Sequence, residues 1–313
     1  MNVDNFVAFF NKAAEVQRGK WSRVDVPGLA AYVVPQQLYG MREELLKADL
    51  ATAHAKWFLD GLVDPAPFAI EGTSYTFAHF AERLRETVMV MLADIPADEA
   101  DKVWRALSRL AWDDIQGRRL SDRIRWSKAL RQDLWDSIAN PHCYLCGFKF
   151  SREAEERFLT GGRIEVPLPN LTDFVRARTK PRHVRIEVDH VLPLVDGGTN
   201  NLDNLRLACG WCNSAKGRYG SIYDTHSWSE VRFEHPGLGW LTIPRPLWVL
   251  RIVSLRGRCE DVSCLVTIDQ EELRVAPWWA QGALTPPNIK VFCADHDTWK
   301  ANRFVSSALL DRR

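Results

Sequence analysis

Residues Ile186 to Gly217 read "IEVDHVLPLVDGGTNNLDNLRLACGWCNSAKG". The stretch opens on "RIEVDHVL", where apolar and polar residues alternate as in a half-buried strand. "DGGTNN" (Asp196 to Asn201) follows as a turn, with Gly197 and Gly198 free to take positive φ. "LDNLRLAC" returns as a second strand or extended segment, and "CNSAKGRY" starts a short helix. The order is strand, turn, strand, helix. Near its start Asp189 and His190 stand side by side; near its end come Cys209, Cys212, Asn213 and Lys216. An Asp-His pair alone is an ordinary loop feature, so its meaning depends on what the rest of the chain brings to it.

The cysteines supply the first constraint. There are seven, Cys143, Cys146, Cys209, Cys212, Cys259, Cys264 and Cys293. The first four form two CxxC pairs, "CYLC" and "CGWC". Two residues between cysteines let both sulfurs turn toward one ion, and two such pairs make the four-thiolate set of a tetrahedral structural zinc. Paired disulfides or buried free thiols are the alternatives. The last three cysteines sit in "CEDVSC" and "CADH", which places His296 three residues after Cys293. Cys259, Cys264, Cys293 and His296 can form a second, Cys3His zinc site, against the reading of three unrelated buried cysteines and a surface histidine.

Composition limits the classes of function. The chain has 313 residues, of which 46% are hydrophobic and 26% charged, with 13 tryptophans. These are values of a globular protein with room for more than one core. A formal charge of +1 excludes a generally basic nucleic-acid binder, so contacts to DNA must come from local patches. "RRLSDRIRWSKALR" (Arg118 to Arg131) and "RARTKPRHVR" (Arg176 to Arg185) are such patches, each of which taken singly reads as a solvated face. The N-terminal "MNVDNFVAFFNKAAEV" carries an acid at Asp4 and no basic leader, and reads as an amphipathic helix. No apolar run approaches the roughly 20 residues of a membrane span. The expectation is a cytoplasmic chain with no membrane partner, where thiols stay reduced and clustered cysteines point to metal.

Residues 1–140 read as a helical region. Phe77, Phe80, Ala81, Leu84, Val88 and Met91 recur at helical spacing; so do Val103, Leu107, Leu110 and Ile115, then Leu120, Ile124, Leu130, Leu134 and Ile138. These stripes are expected to form a helical core, and no catalytic motif falls in them. The pattern stops at "ANPHCYLCG", where Asn140-Pro141 is a natural boundary. Residues 141–223 change to short strands, turns and cysteines. Residues 224–313 form a third, mixed β and loop region, with a strand-like apolar run in "PRPLWVLRIVSL" and a loop-rich "APWWAQGALTPPNIKVFC". The fold class expected is α+β.

With these residues in view, "EVDHVLPLVDGGTNNLDNLRLACGWCNSAKG" resembles the ββα-metal core of the zinc-containing HNH endonucleases. The likeness lies in the Asp-His pair, the following proline, the Gly-Gly turn, "DNLRLAC" and the "CxxCNxxKG" ending, with the upstream "CYLC" completing the zinc module. It covers about residues 141 to 220. Asn213 stands where many members carry histidine, and the longer spacer before Asp189 points to an insertion around residues 150 to 183.

The residues suit the chemistry that the resemblance implies. Phosphodiester hydrolysis needs a base for water, a Lewis acid for developing charge and donors for the phosphate. His190 is the histidine of the segment, a side-chain type suited to proton transfer near neutral pH, and is assigned as general base. Asp189 is a hard oxygen ligand for Mg2+ or another divalent cation, with Asn213 as its second ligand. Neighbours on a strand point to opposite faces, so the strand must end or twist at this pair, and Pro193 supports a break. The resemblance implies that Asn204 braces the loop carrying His190. Lys216 and Arg206 are candidates for phosphate contact.

The leading expectation is therefore a metal-dependent endonuclease that cuts or nicks DNA, with RNA as the alternative polymer. It would serve as the effector of an antiviral defence or restriction assembly, delivered by a protein partner; a mobile-element nuclease is the competing role. The second reading is a non-catalytic zinc-knuckle module that binds nucleic acid or protein and needs the cysteines but neither Asp189 nor His190.

Overall fold

The structure, a computed structural model, describes residues 7–11, 13–14, 25–70, 72–119, 126–176, 179–192, 199–217, 220–224 and 232–310. It is a mixed assembly of helices and small antiparallel strand pairs. The glycine turn at 197–198, Pro193, and the stripe residues Leu120 and Ile124 lie outside the described residues.

The first half is helical, as the periodicity predicts. Helix α1 spans Glu43–Leu62, α2 Phe77–Met91, α3 Ala97–Arg119 and α4 Lys128–Asp136. Thr76 caps α2 in a reciprocal arrangement with His79, and Ser127 Oγ caps α4 by accepting from the Leu130 N–H. Phe80, Leu84 and Val88 of α2 pack with Leu62, Phe68, Ala111 and Ile115 in one apolar cluster. The stripe expected on α3 is met in part, with Ile115 in that cluster and Leu107 packed against it. Val103 and Leu110 are exposed, while Ala100, Ser108, Ala111 and Ile115 are buried.

Strands β2 (Ile186–His190) and β3 (Leu205–Cys209) form an antiparallel pair in which Ile186 faces Cys209 and His190 faces Leu205. One face of this hairpin carries Ile186, Val188, Leu205 and Leu207. It packs on α4 and on α5 (Arg152–Thr160), which lies in the stretch expected as an insertion. The other face meets the short helix α6 (Gly210–Lys216).

The last third holds β4 (Arg232–His235) with β5 (Gly239–Thr242), α7 (Pro246–Arg256), and β6 (Arg274–Pro277) with β7 (Ile289–Phe292). Strand β8 (Phe304–Ser306) returns to pair with β1 (Leu171–Asp173). The strand expected in "PRPLWVLRIVSL" is in fact α7. Pro246 opens it, Gly257 in the left-handed conformation (φ 62°) closes it, and Leu247, Trp248, Val249, Leu250, Ile252 and Val253 are all buried. A helix wrapped by core on most sides needs no polar face, so its apolar run mimics a buried strand.

The main core joins regions that the sequence separates. Leu46, Cys143, Cys146, Phe174, Cys209, Cys212, Trp248, Val275 and Val291 belong to one cluster, which crosses the boundaries expected at 140 and 223. Buried ion pairs reinforce the joint. Arg42 binds Glu260 and donates to the Ile289 carbonyl, and Arg251 binds Asp49, whose carboxylate also accepts the Ile222 N–H.

Candidate active site

Cys143 and Cys146 sit on a tight turn in which Gly147 N–H donates to the Cys143 carbonyl at 2.8 Å. Gly147 has φ 77°, and a Cβ there would lie 2.4 Å from the Glu271 carbonyl oxygen, so only glycine fits. The turn is fastened to the hairpin by Tyr144 N–H to Leu207 O (3.0 Å) and to the C-terminal region by Leu273 N–H to Cys146 O (3.1 Å). Cys209 ends β3 and precedes the first turn of α6, which carries Cys212. The four sulfurs lie within 4.8 Å of one another and all four residues are buried.

No disulfide links them, so these are four thiols crowded in an apolar place. Burial pushes Cys143 and Cys212 well above the ordinary thiol range, whereas hydrogen bonds from Cys143, Cys146 and Cys212 hold Cys209 well below it. A bound cation is what such a set is suited to, since it stabilises several thiolates together. Beside them lies Arg176, which the sequence reading placed on a solvated patch. Its side chain is instead mostly buried, paired with Glu272 at 2.6 Å and lying over the Trp211 ring at 5.1 Å. Burial works against its charge, but Glu272 and the nearby thiolates outweigh that and keep its pKa well above the ordinary arginine value.

The second cluster also assembles. Cys293 Sγ lies 3.1 Å from His296 Nδ1, Cys259 Sγ 3.8 Å from the same nitrogen, and Cys264 Sγ 3.8 Å from Cys293 Sγ. Both cysteine-rich groups can hold a metal ion, and they are the groups of this kind among the described residues.

The Asp-His pair occupies the end of β2. The strand stays regular through its last residue, His190, so Asp189 and His190 project from opposite faces of the hairpin. Asp189 is buried on the α6 side. Its Oδ2 accepts from Tyr144 Oη at 2.5 Å and from Lys216 Nζ at 2.7 Å. Burial, and then the adjacent Asp189 charge, raise the Tyr144 pKa, so the phenol remains a proton donor to that carboxylate. Lys216 Nζ also donates to the His190 carbonyl at 2.5 Å. Asn213 stands one helical turn before Lys216, and its Nδ2 donates to Glu187. Glu187 and Asp189, two apart on a strand, share a face; Asn213 and Lys216, three apart on a helix, share another. The two faces meet in two polar rungs.

His190 lies on the opposite face. Its Nε2 is 3.0 Å from Asn200 Oδ1, and its ring is 5.7 Å from the Trp126 ring. Asn200 Oδ1 can only accept, so this bond needs a proton on Nε2. Asn204 ties the following backbone. Its Oδ1 accepts from Leu192 N–H at 2.9 Å, and its Nδ2 donates to the carbonyls of Leu192 and Thr199. Arg206 is placed differently from a free phosphate donor, because its Nη1 is engaged by the carbonyls of Leu202, Asp203 and Leu205.

Tyr144, Glu187 and Asn200 enter the site without having been singled out in the sequence. Glu187 had a usable signal, the two-residue period that puts it beside Asp189. Tyr144 had a weaker one, its place inside the first CxxC. No curated protein and no solved structure matches the chain. The family model that does match is that of the HNH endonuclease, over residues 178–218, the stretch that contains β2, β3 and α6; this segment of the chain is similar to the HNH endonuclease family.

Proposed function

We propose that the protein is a metal-dependent HNH endonuclease that hydrolyses phosphodiester bonds of DNA, by cutting or nicking. The observation that carries the reading is the end of β2, where a histidine held through Nε2 by Asn200 adjoins a buried aspartate opposite the Asn213 helix. His190 takes a proton from the attacking water. Asn200 fixes its ring and tautomer, and Asn204 holds the backbone that follows it. Asp189 and Asn213, with Glu187 on the same face, offer hard oxygen donors suited to Mg2+. When bound, the ion supplies Lewis-acid stabilisation of the phosphate. Lys216 neutralises Asp189 and holds the strand end through the His190 carbonyl.

Zn2+ at Cys143, Cys146, Cys209 and Cys212 ties the hairpin to the upstream turn, and a second Zn2+ at Cys259, Cys264, Cys293 and His296 organises the C-terminal region. The helical residues 1–140 and the C-terminal residues 224–313 flank the nuclease residues 141–223 and serve target choice or partner docking. The net charge of +1 supports delivery to DNA by a protein partner, as in a defence or restriction assembly.

The test is nicking of supercoiled plasmid with and without Mg2+, with zinc per chain measured on the same samples. His190→Ala is expected to lower the rate by at least about 100-fold while zinc content and melting temperature stay at wild-type values. Wild-type nicking by His190→Ala overturns the assignment; Mg2+-independent binding without turnover by the wild type would support the non-catalytic module instead.

A further inference from the structure

A cavity of about 200 Å³ opens at the start of β2, lined by Arg131 of α4, Arg157 of α5, Arg185, Glu187 and the glycines Gly161 and Gly162. This volume is below the roughly 300–1,000 Å³ of pockets that enclose a drug-sized molecule, and suits a compact group. Three guanidinium groups meet there against one carboxylate, and that carboxylate already accepts from Asn213. Arg131 is held in place by bonds to the Phe158 and Trp126 carbonyls, each 3.0 Å, and Arg157 by one to the Ile164 carbonyl. The Arg185 side chain makes no hydrogen bond among the described residues, and the Nε atoms of both Arg131 and Arg185 are buried without a partner. Arginines gathered at a cavity with unspent donors are arranged for a planar or tetrahedral oxyanion.

We propose that this cavity binds a phosphate group, and that the group is a backbone phosphate of the nucleic-acid strand on either side of the cleaved bond. Placement supports the second step. The Trp126 ring lies 5.7 Å from that of His190 and its carbonyl accepts from Arg131, so the Arg131 side of the cavity and His190 lie on one face of the hairpin, with Glu187 of the lining on the other. They are separated by the length of β2, roughly 13 Å, which a strand rising ~3.4 Å per nucleotide covers in about four steps. That a phosphate binds follows from the guanidinium cluster; that it belongs to the substrate strand rests on the nuclease reading.

Inorganic phosphate, compared with chloride at equal ionic strength, is expected to raise the melting temperature of the purified full chain. Arg185→Gln removes no described hydrogen bond, so the variant should fold and melt at or above the wild-type temperature without phosphate. It should need at least about tenfold more phosphate for the same rise. The second arm measures binding of a DNA duplex by the His190→Ala chain with and without Arg185→Gln. A loss of at least about tenfold in affinity, with a smaller salt dependence, assigns the cavity to the strand's phosphate. Lost phosphate response with unchanged DNA affinity assigns it to a free phosphate or a nucleotide, overturning the second step. An equal phosphate response in both chains, or no response together with unchanged DNA affinity, overturns the inference altogether. Plasmid nicking by the wild type, measured alongside, tells these failures apart from failure of the nuclease reading.

Discussion

Asp189 is buried, and Lys216 and Tyr144 both donate to its Oδ2. The Lys216 ammonium therefore does for the folded chain what a divalent cation would also do, neutralise that carboxylate. Lys216→Ala should cost about 1–3 kcal/mol of stability in metal-free buffer, the range for a buried polar group that loses its partner. Mg2+ should return most of that loss if Asp189 is a ligand. Denaturant unfolding of both chains with and without Mg2+ checks this; an identical loss in the two buffers removes Asp189 from the ligand set. The residue types at this site were legible in the sequence because each has a narrow chemistry. Their partners were not: nothing in the order of residues says that Tyr144 reaches Asp189 or that Asn200 meets His190.

At the scale of elements, the polar rungs between β2 and α6 follow from two periodicities meeting, two residues on the strand and about one turn on the helix. The helix can lie this close because it begins at Gly210, where a Cβ would stand 2.0 Å from the Arg182 carbonyl oxygen. Substitution by alanine there forces the helix away from the hairpin. Further off, the segment Gln36–Arg42 that leads into α1 is clamped to the C-terminal region by Arg42, which binds Glu260 and the Ile289 carbonyl. Arg42→Ala leaves Glu260 buried and without its Arg42 partner, with the Val291 N–H and the half-exposed Arg256 still on its carboxylate. The expected loss is about 3–5 kcal/mol in equilibrium unfolding, the range for breaking a buried ion pair on one side. A loss under about 1 kcal/mol would mean that the pair does not fasten the two parts. No residue pattern announces this pairing, since a buried arginine and a surface arginine are spelled alike.

Across the whole molecule, both cysteine-rich groups are built into or against the one large core. Metal content and global stability should therefore fall together. Elemental analysis is expected to find two zinc ions per chain, and Cys264→Ser to retain one. Chelation of both should lower the melting temperature of the entire transition rather than release one piece. Two well-separated transitions after chelation would show that the C-terminal cluster stabilises only its own surroundings.

The sequence by itself determined what is local. The helical periods of the first half, the strand-turn-strand-helix order after Ile186, and the ligand spacing of both cysteine sets each depend on residues a few positions apart. Tertiary structure decided the rest. It left Val103 and Leu110 of α3 exposed, made a helix of the apolar run at Pro246–Arg256, and buried Arg176 beside the first cysteine cluster. It also returned β8 to β1 and gathered Arg131, Arg157 and Arg185 around one cavity. The physical reason is common to all of these. Hydrophobic burial is non-directional, and charge pairing depends on distance in space, so neither is fixed until distant parts of the chain have packed together.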